Sequence, residues 1–157
     1  MKIQFIKSKE KKEIIERLEK QFGITDLPYL LIESGKEKLR AFSGHLSKEE
    51  ILELGNLVNI ELMGFYLGKL EAQGLRLSFD APIILRDQVK NNIVEINQEQ
   101  FDLWIRGSDL EIPAVYGMVL IKFGSDFVGC GISNEKKIFN YVPKDKRLKN
   151  KINPKII

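Results

Sequence analysis

Three apolar runs near the C-terminus, Met118 to Phe123, Phe127 to Ser133 and Ile138 to Val142, limit what this chain can become. They are separated by Gly124-Ser125-Asp126 and Asn134-Glu135-Lys136, turn-forming segments too short for a crossover connection. Adjacent strands joined this way must run antiparallel. Upstream, Val94 and Ile96 form a further short strand. Asn97 can cap a helix whose third residue, Gln100, completes a capping box, with Phe101, Trp104 and Ile105 on the apolar face. Arg106-Gly107-Ser108-Asp109 ends that helix in a glycine-bearing loop.

The first half has the same mixed character. Met1 to Phe5 alternates like a strand, and Ser8 can cap a helix over residues 9–22 that Gly23 closes. Residues 28–33 and 38–43 flank Ser34-Gly35-Lys36 as a hairpin. Ser47 and Glu50 form a capping box for a short helix that Gly55 can end. A strand is expected over residues 57–70, with Gly64 and Gly68 marking a bulge or bend, and another through Leu75, Leu77 and Phe79. The pattern restarts near Lys90-Asn91-Asn92. The expected organisation is an α+β chain with an N-terminal antiparallel sheet and helices over residues 1–89, then a β-rich domain over 90–157.

Composition closes off several classes of function. With 43 % apolar and 30 % charged residues the chain can bury a core. No apolar run reaches the roughly 18 residues that span a bilayer, and the first residues do not read as a signal peptide, so a cytoplasmic location is expected. Abundant Lys, Glu and Ile would suit a thermophilic prokaryote or archaeon. The single Cys130 excludes an internal disulfide or thiolate cage, and His45 is the only histidine. No phosphate loop or dinucleotide fingerprint is present; Gly129-Cys130-Gly131 lies within a strand, where glycines allow close backbone approach. His45 reads as a turn residue and Cys130 as a buried structural thiol. The carboxylates interleave with lysines on helical faces. No catalytic residue, metal or cofactor is expected.

The net charge of +3 conceals an asymmetry. Residues 136–157 carry Lys136, Lys137, Lys144, Lys146, Arg147, Lys149, Lys151 and Lys155 against Asp145, eight cations to one acid, or +7. The remaining 135 residues therefore sum to −4. A concentrated basic segment is what contact with a polyanion requires. Pro143 should turn the chain out of its strand, leaving Lys144, Lys146, Arg147 and Lys149 on a projecting segment. Arg106 and Gly107 add a guanidinium and an accessible backbone amide suited to phosphate or base edges. Trp104 and Tyr141 could stack on bases, although Trp104 shares the apolar stripe of its helix.

Residues 90–150 resemble a PUA domain, the RNA-binding module named after pseudouridine synthases and archaeosine transglycosylases. The residues that carry the likeness are Arg106-Gly107-Ser108-Asp109-Leu110, Gly117-Met118-Val119-Leu120-Ile121, Phe127-Val128-Gly129-Cys130-Gly131-Ile132 and the basic stretch after Tyr141-Val142-Pro143-Lys144. Asn140-Tyr141-Val142-Pro143-Lys144 followed by Arg147-Leu148 is similar to the end of the PUA-like domain of Sun/Fmu-type rRNA cytosine methyltransferases. The first half is similar to the N-terminal domain of the two-domain Nip-type ribosome-biogenesis factors, through Tyr29-Leu30-Leu31-Ile32-Glu33, Gly64-Phe65-Tyr66-Leu67-Gly68-Lys69 and Leu75-Arg76-Leu77-Ser78-Phe79.

The resemblance implies a C-terminal PUA-type β pseudo-barrel whose RNA face uses Arg106, Gly107, Lys144, Lys146, Arg147 and Lys149. The chain departs from the methyltransferases in lacking a methyl-donor-binding domain and a Pro-Cys pair. The expected function is a non-catalytic RNA-binding accessory factor in ribosome biogenesis or rRNA modification. Its partners would be rRNA or tRNA, with an assembly or RNA-modifying protein meeting an acidic N-terminal domain. The competing expectations are a protein-interaction module that docks an acidic partner without reading RNA, and an enzyme built on scattered carboxylates.

Overall fold

A computed structural model describes residues 2–72 and 74–149, which form two compact units dividing between Asn91 and Asn92. The first is a five-stranded antiparallel sheet with helices: β1 (Gln4–Phe5), α1 (Ser8–Phe22), β2 (Leu30–Glu33), β3 (Lys38–Phe42), α2 (Lys48–Leu57), β4 (Phe65–Glu71), β5 (Gly74–Leu77) and α3 (Ala81–Ile84). The strands lie in sequence order, β1-β2-β3-β4-β5, with α1 connecting β1 to β2 and α2 connecting β3 to β4. Ile14, Leu18 and Phe22, spaced to share one helical face, sink into the core with Ile32, Leu39, Leu67 and Leu75. Gly23 closes α1 in the left-handed conformation, φ 81°, as its position predicts.

Three local expectations need correction. Lys7, not Ser8, occupies the cap position of α1, and Ser8 is the first helical residue. The capping box of Ser47 and Glu50 does form, but Gly55 does not end the helix. Its intrahelical bonding runs on until the Val58 N–H reaches the Leu54 carbonyl at 2.9 Å. Residues 58–64 are consequently not strand. Arg40 Nε donates to the Met63 carbonyl at 2.8 Å, and Gly64, at φ +69°, passes so close to Ala41 that a Cβ would lie 2.3 Å from its carbonyl oxygen. Only glycine fits there, so β4 begins at Phe65. The expected bulge is present: the β3–β4 register slips between Leu39 and Arg40, opposite Gly68 and Tyr66.

The second unit contains β6 (Ile93–Glu95), α4 (Gln98–Trp104), β7 (Gly117–Phe123), β8 (Asp126–Ser133), β9 (Ile138–Asn140) and a 3₁₀ turn (Lys144–Lys146). Its sheet has the order β6-β7-β8-β9. The two hairpins are antiparallel, whereas β6 runs parallel to β7, pairing Ile93 with Leu120 and Glu95 with Lys122. Parallel pairing demands a crossover, and α4 lies within it. Met118 through Ile121 are all buried, so β7 is covered on both faces. Asn97 and Gln100 form the expected capping box, each side chain bonding the other's backbone N–H at 2.9 Å. Trp104 is wholly buried and donates from Nε1 to the Val128 carbonyl. A Cβ on Gly131 would lie 2.6 Å from Ile138 and 2.9 Å from Trp104, so this glycine serves close packing. The protein is thus mixed α+β.

Candidate nucleic-acid interface

Pro143, at φ −59°, turns the chain out of line with β9, and residues 144–146 make a single 3₁₀ turn. The chain then does not project. Leu148 N–H donates to the Ile105 carbonyl at 2.9 Å, which lays the basic segment back over the C-terminal end of α4. Arg147 Nε donates to the Val142 carbonyl at 2.9 Å, and its guanidinium rests against Gly107. Gly107 has φ +101°, and a Cβ there would be 2.7 Å from Cζ of Arg147. Both the conformation and the contact therefore call for glycine.

This fold-back creates a depression of about 520 Å³ lined by Arg106, Ser108, Lys144, Arg147, Leu148 and Lys149. Arg106 is held by a bond from Nη1 to the Asp102 carbonyl at 3.1 Å. Among the described residues, none of the four cations is paired with a carboxylate. Four positive groups around one hollow give it an uncompensated field of the kind that draws phosphates and releases their counterions.

Asn140 ties the surrounding pieces together. Its Nδ2 donates to the carbonyls of Trp104 at 2.7 Å and Ser108 at 2.9 Å, and its Oδ1 accepts the Val142 N–H at 2.8 Å. Its backbone N–H donates to Asp109 Oδ1 at 2.8 Å. The other oxygen of Asp109 pairs with Lys137 Nζ at 3.3 Å. That hydrogen bond, then the nearby Glu111 carboxylate, raises the Lys137 pKa above the ordinary lysine value. One asparagine thus joins the loop after α4, strand β9 and the start of the basic segment.

Residues 91–152 match the family model of the methyltransferase RsmF PUA domain. That family is a PUA-like domain of Sun/Fmu-type rRNA methyltransferases, and PUA domains are RNA-binding modules. No curated protein matches the chain.

Within the PUA domain, Arg106, Lys144, Arg147 and Lys149 come together, with Gly107 beneath Arg147. Lys146 is exposed but does not line the depression. Lys151 and Lys155 lie outside the described residues. Trp104 is a core residue and cannot stack on a base, whereas Tyr141 is 38 % exposed beside Val142, whose carbonyl holds Arg147. The bridging role of Asn140 escaped the sequence reading, in which the residue stands only as part of the motif ending at Lys144. An asparagine next to Phe139 in a strand is out of keeping with β-propensity, and that mismatch was the available signal. The balancing acid also lies elsewhere than expected. Residues 1–91 hold fifteen cations and fourteen acids, whereas residues 92–135 hold two cations and seven acids. The first unit is not acidic; the PUA domain itself is polarised.

Cys130 is buried and His45 is exposed in the loop before α2. Among the described residues no cluster of three His, Cys, Asp or Glu side chains could hold a metal ion, and no helix is long and apolar enough to cross a membrane.

Proposed function

We propose that this protein is a non-catalytic, cytoplasmic RNA-binding accessory factor in ribosome biogenesis or rRNA modification. It grips structured RNA, rRNA or tRNA, in the basic depression of a PUA pseudo-barrel. The observation that carries this reading is the convergence of Arg106, Lys144, Arg147 and Lys149 on one hollow in a domain matched to an rRNA methyltransferase PUA family. Arg147 offers a fixed guanidinium for a phosphate, and the two lysines supply less directional charge. Leu148, 55 % exposed at the rim, and Tyr141 offer apolar surface to an unstacked base. Action without chemistry is supported by the placement of the two side chains best suited to nucleophilic or acid–base work: Cys130 is packed inside β8, and His45 sits in an exposed loop.

The test is a salt series of binding to rRNA fragments and tRNA. It compares the full chain with Arg106→Glu/Lys144→Glu/Lys149→Glu, and with Lys146→Glu as a cation outside the hollow. With about four phosphate contacts, log affinity against log salt should have a slope of roughly −3 to −4. The triple variant should lose both affinity and slope, and Lys146→Glu should lose little of either. Coincident slopes for all three proteins would defeat the proposal and turn the depression over to an acidic protein surface.

A further inference from the structure

The second helix, α2, is poorly covered. Of its ten residues only Ile51 is buried. Leu52 is 49 % exposed, Leu54 38 % and Leu57 81 %; just beyond the helix Val58 is 52 % and Leu62 68 % exposed. Leu46, just before it, is 41 % exposed. Isolated apolar side chains on a surface mean little, but six large aliphatics in seventeen consecutive residues mark a contact surface. Helical geometry arranges them: Leu54 and Leu57 are about one turn apart and share a flank with Glu50 and Glu53.

Charge decides what can cover this surface. Residues 46–62 contain Glu49, Glu50, Glu53 and Glu61 against Lys48, a net −3. The Lys48 ammonium is turned toward the unit's own Phe5 ring, 5.8 Å from its centroid. Glu50 is engaged by the Ser47 N–H. Glu49, Glu53 and Glu61 are exposed, and among the described residues none is ion-paired. An apolar strip edged by open carboxylates repels RNA and anionic lipid. A second copy meeting it face to face would set like charge against like. We infer that α2 and the chain up to Leu62 form a docking site for a basic amphipathic helix of another protein. Leu54, Leu57, Val58 and Leu62 take its apolar side, and Glu53 and Glu61 take its lysines or arginines. This goes beyond the RNA reading and does not depend on it.

The probes are two fluorescent amphipathic peptides of about 16 residues, long enough to hold a helix. One is built of Leu and Lys, the other of Leu and Glu. The full chain should bind the Lys probe and not the Glu probe. Leu57→Ser/Leu62→Ser should weaken Lys-probe binding by about tenfold or more, since each leucine loses apolar contact. Glu53→Lys/Glu61→Lys should shift preference toward the Glu probe, while Glu95→Lys/Glu99→Lys, on the other unit, should change nothing. All substituted side chains except Glu95 and Glu99 belong to this surface, and all are exposed, so circular dichroism melts should coincide. Binding of RNA by the leucine variant should equal that of the wild type, which separates this outcome from the fate of the RNA proposal. Equal binding of both probes, binding of neither, or indifference to the leucine substitutions would overturn the inference. So would a dimer in sedimentation velocity that the leucine variant abolishes, because the occupant would then be a second copy.

Discussion

In the first unit, α2 has a single buried residue, Ile51, and leaves its leucines largely in water; in the second, the end of α4 is tied to later segments of the chain. Asn140 and Leu148 hydrogen-bond that end to later parts of the chain, and the Arg147 guanidinium packs on Gly107 just beyond it. The two units carry almost the same net charge, +1 for residues 1–91 and +2 for 92–157, from fifteen cations against fourteen acids and ten against eight. Total charge therefore distinguishes nothing. The difference lies in whether hydrogen bonds collect the charges at one place. The PUA domain gathers its cations over a fixed loop, whereas α2 offers apolar area edged with acid. Polar recognition needs groups held in position before the ligand arrives, because each ordered cation costs side-chain entropy. Apolar docking is less directional and tolerates a looser support.

Substitutions can break that contrast. The largest effect should follow Arg106→Glu/Lys144→Glu/Lys149→Glu, with RNA affinity falling by about two orders of magnitude or more near 0.1 M salt. Binding of the Leu/Lys peptide should be unchanged; an equal loss in both assays would show that the two surfaces are not separate. Next is Asn140→Ala. It leaves the Trp104 and Ser108 carbonyls and the Val142 N–H without their partner, and should cost about 2–3 kcal/mol in denaturant unfolding. Asn140→Asp keeps the acceptor for Val142 but loses both donors, and should retain part of that stability.

Gly107→Ala should cost about 1–2 kcal/mol through its left-handed backbone. It should also push the Arg147 guanidinium away, so RNA affinity falls more than the melting temperature suggests. Lys137→Met should be the mildest, lowering Tm by no more than about 2 °C, because the ion pairs with Asp109 and Glu111 are partly exposed. Its sign is fixed by the raised Lys137 pKa: the contribution is full below the ordinary lysine value and is lost as pH rises through the raised one. Melts of wild type and Lys137→Met should therefore differ at neutral pH and converge in strong alkali.

Elements set by neighbouring residues were legible in the sequence. Gly23 closes α1, the capping boxes at Ser47 and Asn97 form, and β7, β8 and β9 follow from their turns. What escaped depends on distant partners. The helix α2 runs through Gly55, whose Cα faces Ile60 and Ile3, because propensity at one glycine is outweighed by the bonds on either side. The parallel pairing of β6 and β7 joins residues far apart in the chain, and nothing local announces it. The basic segment was visible as charge, but its return over Gly107 was not, since that return is made by the Leu148 N–H bonding to the distant Ile105 carbonyl and by the Arg147 guanidinium packing on Gly107.

The parallel strand β6 also bears on how the second unit comes into being. Its partner β7 begins only after the 21 residues from Ile96 to Tyr116 have looped back, whereas β7, β8 and β9 meet across tight turns. Loop closure delays contacts of high sequence separation. The meander should therefore assemble first and β6 should join last, with the crossover carrying Arg106 and Gly107 into place as it does. The hollow has one wall on the crossover and another on the segment after β9, so it does not exist in the early meander. A nascent chain would thus be unable to hold RNA until the unit has finished folding, and late protection of the Leu120 amide, which bonds the Asn92 carbonyl, would mark that moment.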